Sequence, residues 1–417
     1  MKKIMALLFA ASFFISGCAP ENGSTSQTSQ SSAGKKKTEI VMWLIGSEAQ
    51  ALTIKEISKK FEEDAGIKVR CDAISWGDAH SKYLTSLAGG VSPDIGTMGL
   101  TWGTEFGTLD AMVDLASAHP AEVTAIKEHI FPGLWSSIDY KGKVFGIPFD
   151  MTEYILYYRN DIIASPPKTW DELTALLKDL NAKGKSMMID WGSMSWIGYS
   201  PFLWQAGGEY YNADFTDSTI DSNEAVEAIK FFSELYTVYN VPKTKIPLEQ
   251  GMRTGDYPIA ISGNWEIDGL RLLAPEISGK WSIAMLPKGP SGKSTAFAGG
   301  RIIGIFNQSK KQKEAWEFIK FLFTPEAQSK LYEAAYTKQD TYLPPSRATL
   351  SMLNMNEEFK KVLISQANDA KGPPPVANWD SCTKYIDEAI QKVILQKADP
   401  KTELSSAKKY LVKLLKK

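Results

Sequence analysis

The window 188–211, MIDWGSMSWIGYSPFLWQAGGEYY, crowds Trp191, Trp196, Trp204, Tyr199, Tyr210, Tyr211 and Phe202 among glycine, serine and proline. Tryptophan and tyrosine are core residues by area and binding residues by their polar edges, so the cluster either packs an interior or offers ring faces to a ligand. The carboxylates that stand out are Glu48, in Gly46-Ser47-Glu48, and Asp150, in PFDMTE. A pair of carboxylates at a defined separation could hydrolyse a glycosidic bond, but distance along the chain does not give distance in space. Three histidines and no Cys/His cluster offer no basis for a transition-metal site. No glycine-rich loop joins a strand to a helix in the way a phosphate cradle requires, since Gly299-Gly300 precedes a strand. No cofactor is expected.

The chain that must position these groups has 417 residues, too many for one ordinary core, so two domains are expected. A composition of 43% hydrophobic and 23% charged residues is that of a soluble globular protein. With 47 basic and 48 acidic residues the net charge is -1, which gives no electrostatic reason to expect nucleic acid as a partner. Lys2 and Lys3 precede an apolar run from Ile4 to Ile15, too short to span a bilayer but suited to the core of a secretory signal. The run ends in Ile15-Ser16-Gly17-Cys18, which resembles the lipobox of bacterial lipoproteins. That resemblance implies a leader over 1–17, acylation of Cys18 and a mature protein tethered by lipid to the outer face of a membrane. Residues 19–38, APENGSTSQTSQSSAGKKKT, bury too little apolar surface to order themselves and read as a flexible leash. Cys71 and Cys382 could pair in an oxidising compartment, but two lone cysteines so far apart read better as buried small hydrophobes.

The folded part opens on EIVMWLI (39–45), a continuous apolar run of the kind buried on both faces of a parallel sheet. Ile54, Ile57 and Phe61 then recur at helical spacing, IKVRCDAI (67–74) reads as a second strand, and Pro93-Asp94-Ile95 begins a third. Strand and helix in alternation predict an α/β domain with right-handed crossovers. Thr169-Trp170-Asp171-Glu172 is a capping box, with Trp170 expected on the surface, and Asp221 with Glu224 is a weaker version. Thr324-Pro325 places a cap before a first-turn proline. Tyr199–Ala206 predicts a helix stopped by Gly207-Gly208, leaving Trp191 and Trp196 in the loop before it. Trp43, Trp281 and Trp316 sit inside apolar patterns and are expected in the core.

Three segments carry a family resemblance. PFDMTEYILYYRNDIIASPPKTWDEL (148–173) is similar to the stretch in which extracellular solute-binding proteins of the maltose-binding family pass from their first lobe to their second. GKSTAFAGGRIIGIFNQSKKQKEAWEFIKFLFTPEAQSKL (292–331) resembles their return crossing, and YLPPSR (342–347) the third. The agreement spans roughly residues 39–400 in order. The resemblance implies a two-lobed α/β fold of the periplasmic-binding-protein type, each lobe a sheet flanked by helices, with a three-segment hinge. One lobe would hold 39–149 and 298–344, the other 150–297 and 345–417. It also implies a monomer without catalysis, which takes an oligosaccharide outside the cell, closes over it, and passes it to the permease subunits of an ABC importer.

A pyranose has an apolar C–H face ringed by hydroxyls, so its site should mix aromatic rings with planar polar side chains on loops at strand ends. Glu48 follows the first strand, where it could touch ligand or simply complement a helix N-terminus. Trp102 stands in GLTWGTE after the third strand, read as a loop that presents the ring. Asp150 and Thr152 lie at the first crossing, where hinge hydrogen bonding competes with ligand contact. Trp265, in SGNWE, aligns with a family tryptophan that stacks on sugar, and Gly263 and Asn264 leave room for a ligand beside it. Arg301 replaces the smaller polar residue of many relatives and could grip vicinal hydroxyls or an anion such as a glycerophosphodiester. Trp379, at the start of a C-terminal helix, and Trp191, Trp196 and Tyr210, from the opening window, complete the set. A polyamine would call for more acidic residues among the rings than are present.

Overall fold

The computed structural model describes residues 38–189, 191–192, 194–338 and 342–416. The expected leader, Cys18 and all of the leash but Thr38 lie outside them. The chain runs through β1 (Glu39–Ile45), α1 (Glu48–Ala65), β2 (Lys68–Ile74), α2 (Trp76–Ala88), β3 (Ile95–Gly99), α3 (Leu100–Thr108) and β4 (Ile147–Pro148). Next come β5 (Thr152–Tyr158), β6 (Met187–Ile189), α4 (Ser195–Gln205), β7 (Ile259–Gly263), α5 (Glu266–Leu273), β8 (Ser282–Ala284) and β9 (Ala296–Gly299). Then follow β10 (Arg301–Ile305), α6 (Pro325–Lys338), α7 (Glu357–Asn368), β11 (Ala370–Lys371), α8 (Trp379–Gln396) and a last helix, α9 (Pro400–Leu415).

These strands form two main sheets. The first has the order β2-β1-β3-β10-β4, with β2 and β3 parallel to β1 and β10 antiparallel to both its neighbours. Ile40, Met42, Leu44 and Ile45 are buried, as an apolar strand covered by helices requires. The second runs β11-β9-β5-β7-β6, with β8 also paired to β5. Its core is aromatic: Tyr157, Tyr199, Phe202 and Phe232 are fully buried. Trp170 is buried too, stacked on Phe231 with centroids 3.9 Å apart and donating its indole N–H to Gln205 Oε1 at 2.8 Å. The expectation of a surface Trp170 is therefore corrected, because a facing helix covers the ring. Its capping box is also skewed, as Thr169 Oγ1 accepts from Glu172 N but Glu172 Oε2 accepts from Lys168 N. At the weaker box the cap is Ser222, accepting from Ala225 N, while Asp221 pairs with Lys401 and Lys408. Cys71 and Cys382 are unpaired.

The chain changes sheet between β4 and β5, through residues 149–151, and again at Gly300, between β9 and β10. Ala298 and Gly299 still pair with Glu153 and Thr152, so the switch falls two residues beyond position 298. Gly300 has φ +127, and a Cβ there would stand 2.4 Å from the Asp150 carbonyl oxygen, so only glycine fits this step. A third passage leads from α6, packed on α1, through Leu343, whose carbonyl accepts from Met151 N at 2.9 Å, to α7 on β5.

Asp150 and Arg301 fasten the first two passages to each other. Asp150 Oδ1 accepts from Arg301 N at 2.7 Å and Oδ2 accepts from Arg301 Nε at 2.8 Å and from Nη2. Arg301 Nη1 donates to the Ile45 carbonyl and to Gln50 Oε1, tying in the end of β1 and the first turn of α1. Both side chains are about 95% buried. One step along β5, Glu153 is fully buried and its carboxylate oxygens have no hydrogen-bond partner; burial pushes its carboxyl well above the ordinary range.

Removing one member of a buried ion pair leaves the other charge desolvated and unpaired, at a cost of about 3–5 kcal/mol. Asp150→Ala should lose that much in urea unfolding, and the double change Asp150→Leu with Arg301→Met should recover most of it. Equal unfolding midpoints for the wild type and Asp150→Ala would contradict this role.

Candidate functional site

The residues singled out in the sequence separate into three groups. The hinge group is Asp150, Arg301, Thr152 and Glu48. Asp150 and Arg301 are committed to each other in this conformation, an arrangement that supports a hinge role for both. Thr152 is half-buried and pairs with Gly299 at the start of β5. Glu48 is exposed in the first turn of α1, whose cap is Ser47, and its placement is that of a charge complementing the helix dipole.

The second group is a run of rings along the second sheet, each meeting the next edge to face. Trp265 meets Tyr154 at 5.9 Å between centroids, Tyr154 meets Phe297 at 5.9 Å, and Phe297 meets Trp196 at 5.5 Å. Trp196 then meets Trp379 at 5.3 Å, and Trp379 meets Tyr210 at 4.9 Å. The electron-poor edge of one ring on the electron-rich face of another is a favourable quadrupole arrangement. Trp196, Tyr210 and Trp379 are buried, with Trp379 only 1% exposed, so in this conformation they are core and offer no platform. Trp191 leans on Tyr236 at 4.9 Å and is half-buried. Nor do Trp196 and the loop end where expected, because α4 starts at Ser195, four residues before Tyr199. The reason is distant: Asp387, on α8, accepts the backbone N–H groups of Met194 at 3.1 Å and Trp196 at 2.7 Å, supplying the cap that the local sequence lacks.

Trp265 is the exception in this run, half-buried and opening on a cavity of about 350 Å³ between α5 and α6. Its Nε1 donates to Glu266 Oε1 at 3.1 Å. Asn264 lines the cavity but is partly committed, its Oδ1 accepting from Glu153 N and its N donating to Glu153 O. Among the further lining residues that sequence reasoning missed are Asp268, Arg271, Tyr332 and Tyr336, and Trp281, expected in the core, is half-buried and lines the same cavity. Arg271 pairs with Asp268 at 3.1 Å, donates to the Tyr336 carbonyl at 2.7 Å, and lies over the Tyr336 ring at 3.9 Å. Burial raises the Asp268 carboxyl while Arg271 pulls it down. The i,i+3 spacing of Asp268 and Arg271 just after Trp265, and the i,i+4 spacing of Tyr332 and Tyr336, were the available signals.

The third group joins the two halves at another point. Trp102 is not on a loop but in the first turn of α3, half-buried, because Leu100 and Phe106 bury one helical face. Its Nε1 donates to Asp380 Oδ2 at 2.8 Å and Thr101 Oγ1 donates to Asp380 Oδ1 at 3.2 Å, so α3 touches the start of α8. Trp76, 52% exposed, meets the Trp102 ring edge on at 6.0 Å.

A model of the bacterial extracellular solute-binding protein family matches residues 56–361. The chain belongs to that family. Among relatives of this solute-binding protein, a binding protein of Brucella abortus is 24% identical over 377 residues, 84% of this chain and 87% of that one. The maltooligosaccharide ABC transporter solute-binding lipoprotein of Streptococcus pneumoniae is 22% identical over 413 residues, 93% of this chain and 91% of its own length. In fold, the sugar-binding protein MalE of Xanthomonas citri superposes with a TM-score of 0.81 at 22% identity, covering 91% of this chain and 98% of that one. The fold is thus the two-lobed α/β fold of periplasmic binding proteins, and the family is defined by binding solutes.

Within this solute-binding protein, the Asp387 cap carries a pH signature. Burial pushes its carboxyl from the ordinary 3.8 up to about 6, against the opposing pull of the two N–H groups. A carboxyl raised by folding stabilises the fold fully below the ordinary value and loses that contribution as pH rises through about 6. Because the group is only half-buried, the loss is about 1–2 kcal/mol. Asp387→Asn should gain that much relative to the wild type between pH 4 and pH 7, as read by urea unfolding; parallel pH curves for the two proteins would count against it.

Proposed function

We propose that this solute-binding protein captures an oligosaccharide outside the cytoplasm, held to the membrane by lipid on Cys18, and delivers it to the permease subunits of an ABC importer. The observation that carries the reading is the cavity at Trp265. Its volume, about 350 Å³, lies within the range of small-ligand sites. Its walls alternate rings, Trp265, Tyr332 and Tyr336, with planar polar groups, Asp268, Arg271 and Asn264. That is the mixture a pyranose asks for: a ring face for the C–H surface, and donors and acceptors in plane for the hydroxyls.

The walls come from α5, beside the second sheet, and from α6, which packs on α1 beside the first. A ligand bridging them would favour the closed arrangement of the lobes, the hinge motion expected of three short passages. The named ligands of similar proteins, maltooligosaccharides in Streptococcus pneumoniae among them, support the same ligand class. An anionic ligand has less support, since Arg301 is committed to Asp150 and Arg271 to Asp268. Hydrolysis has none, because Asp150 is neutralised and Glu48 stands exposed on another element.

Calorimetry on the full-length chain with a panel from glucose to maltotetraose should give one site of micromolar affinity, about 8 kcal/mol. Trp265→Ala should cost about 2 kcal/mol, roughly thirty-fold. No heat from any sugar, with binding of a glycerophosphodiester instead, would refute the sugar class. Cys18→Ser should release the protein from the membrane fraction; unchanged membrane retention would refute the lipid tether.

A further inference from the structure

The clasp between α3 and α8 holds more than a hydrogen bond. His80 on α2, Glu105 on α3 and Asp380 on α8 each bring one ligand atom to within 4.8 Å of the other two. His80 Nε2 already stands 2.9 Å from Glu105 Oε2. The imidazole is held in place, its ring stacked on Phe106 at 5.6 Å and met by the edge of Trp102 at 4.9 Å. Asp380 is oriented by the N–H of Trp102 and the hydroxyl of Thr101. Two carboxylates therefore face one imidazole: the Glu105 hydrogen bond and the charges of Glu105 and Asp380 raise its proton affinity, with burial and then Lys384 opposing them.

We propose that His80, Glu105 and Asp380 form a site for a divalent transition-metal ion of the zinc type, bridging the two lobes. One imidazole and two carboxylates are a ligand set that such ions accept, with water completing the shell. Ligand atoms in a tetrahedral zinc site lie about 3.4 Å apart, so the His80 and Glu105 atoms, now 2.9 Å apart, part slightly around the ion, and the exposed Asp380 supplies the third ligand. The absence of a Cys/His cluster in the sequence does not bear on this site, because its ligands come from three separate helices and only one is a histidine. Since Asp380 belongs to the other lobe from His80 and Glu105, the ion completes its shell only when the lobes are together. Metal and any ligand that favours closure must then strengthen each other's binding by the same factor.

The test is a zinc titration of the chelator-treated full-length chain at pH 7.5, followed by calorimetry and needing no sugar, so that it stands or falls apart from the sugar reading. The wild type should bind one zinc ion with micromolar affinity. His80→Ala and Asp380→Asn should each weaken it at least ten-fold, while His129→Ala leaves it unchanged; circular dichroism checks that the variants fold. No stoichiometric binding, or binding that survives His80→Ala in a folded protein, would overturn the site. A second readout is X-ray scattering, in which zinc should contract the wild type and not Asp380→Asn; contraction of both would also overturn the bridge.

Discussion

A buried ion pair at the hinge is the constraint from which the rest follows. Two sheets can share one chain only if the strands that leave one and enter the other are held in register. Asp150 and Arg301 do this at the two passages that lie side by side, and Arg301 reaches on to Ile45 and Gln50, so that the end of β1 and the start of α1 are tied to the same point. Gly300 makes the close approach possible, since any side chain would strike the Asp150 carbonyl. Such a pair contributes more to geometry than to net stability, because desolvating two charges offsets much of their attraction.

The aromatic rings on the second lobe are likewise arranged for geometry. From Tyr210 to Trp265 they form one edge-to-face series, crossing four elements that are far apart in sequence. The buried end of the series packs α8 and α4 against the sheet. The other end emerges as Trp265 beside a cavity. The rigidity of the interior rings thus fixes the orientation of the one ring that faces solvent space, and a preformed ring face spares a ligand the entropy of ordering it.

How much of this was legible depends on whether the information was local. The strand EIVMWLI and the Thr-Pro helix start rest on short-range patterns and could be read, whereas the crossings near 148 and 300 and the place given to Trp265 rest on the family resemblance. Trp196 could not be placed, because its helix is capped by Asp387 from far along the chain. Trp102 was misread for a related reason: a Gly/Thr-rich stretch looks like a loop until Leu100 and Phe106 find a core to bury against. Arg301 looked available because nothing in its own neighbourhood shows that Asp150 has claimed it. Likewise Arg271 and Tyr336 become a pair only when α5 meets α6.

Glu153 has a further implication for how this protein comes to be folded. Its carboxyl is sealed beside the hinge without a partner, and burial favours its protonated form. Between the ordinary glutamate range and the raised folded value, the unfolded chain carries that group ionised, so forming the second lobe draws a proton from solution. The closing of that core is therefore a proton-consuming step, and the heat it releases includes the ionisation heat of whatever buffer surrounds the chain.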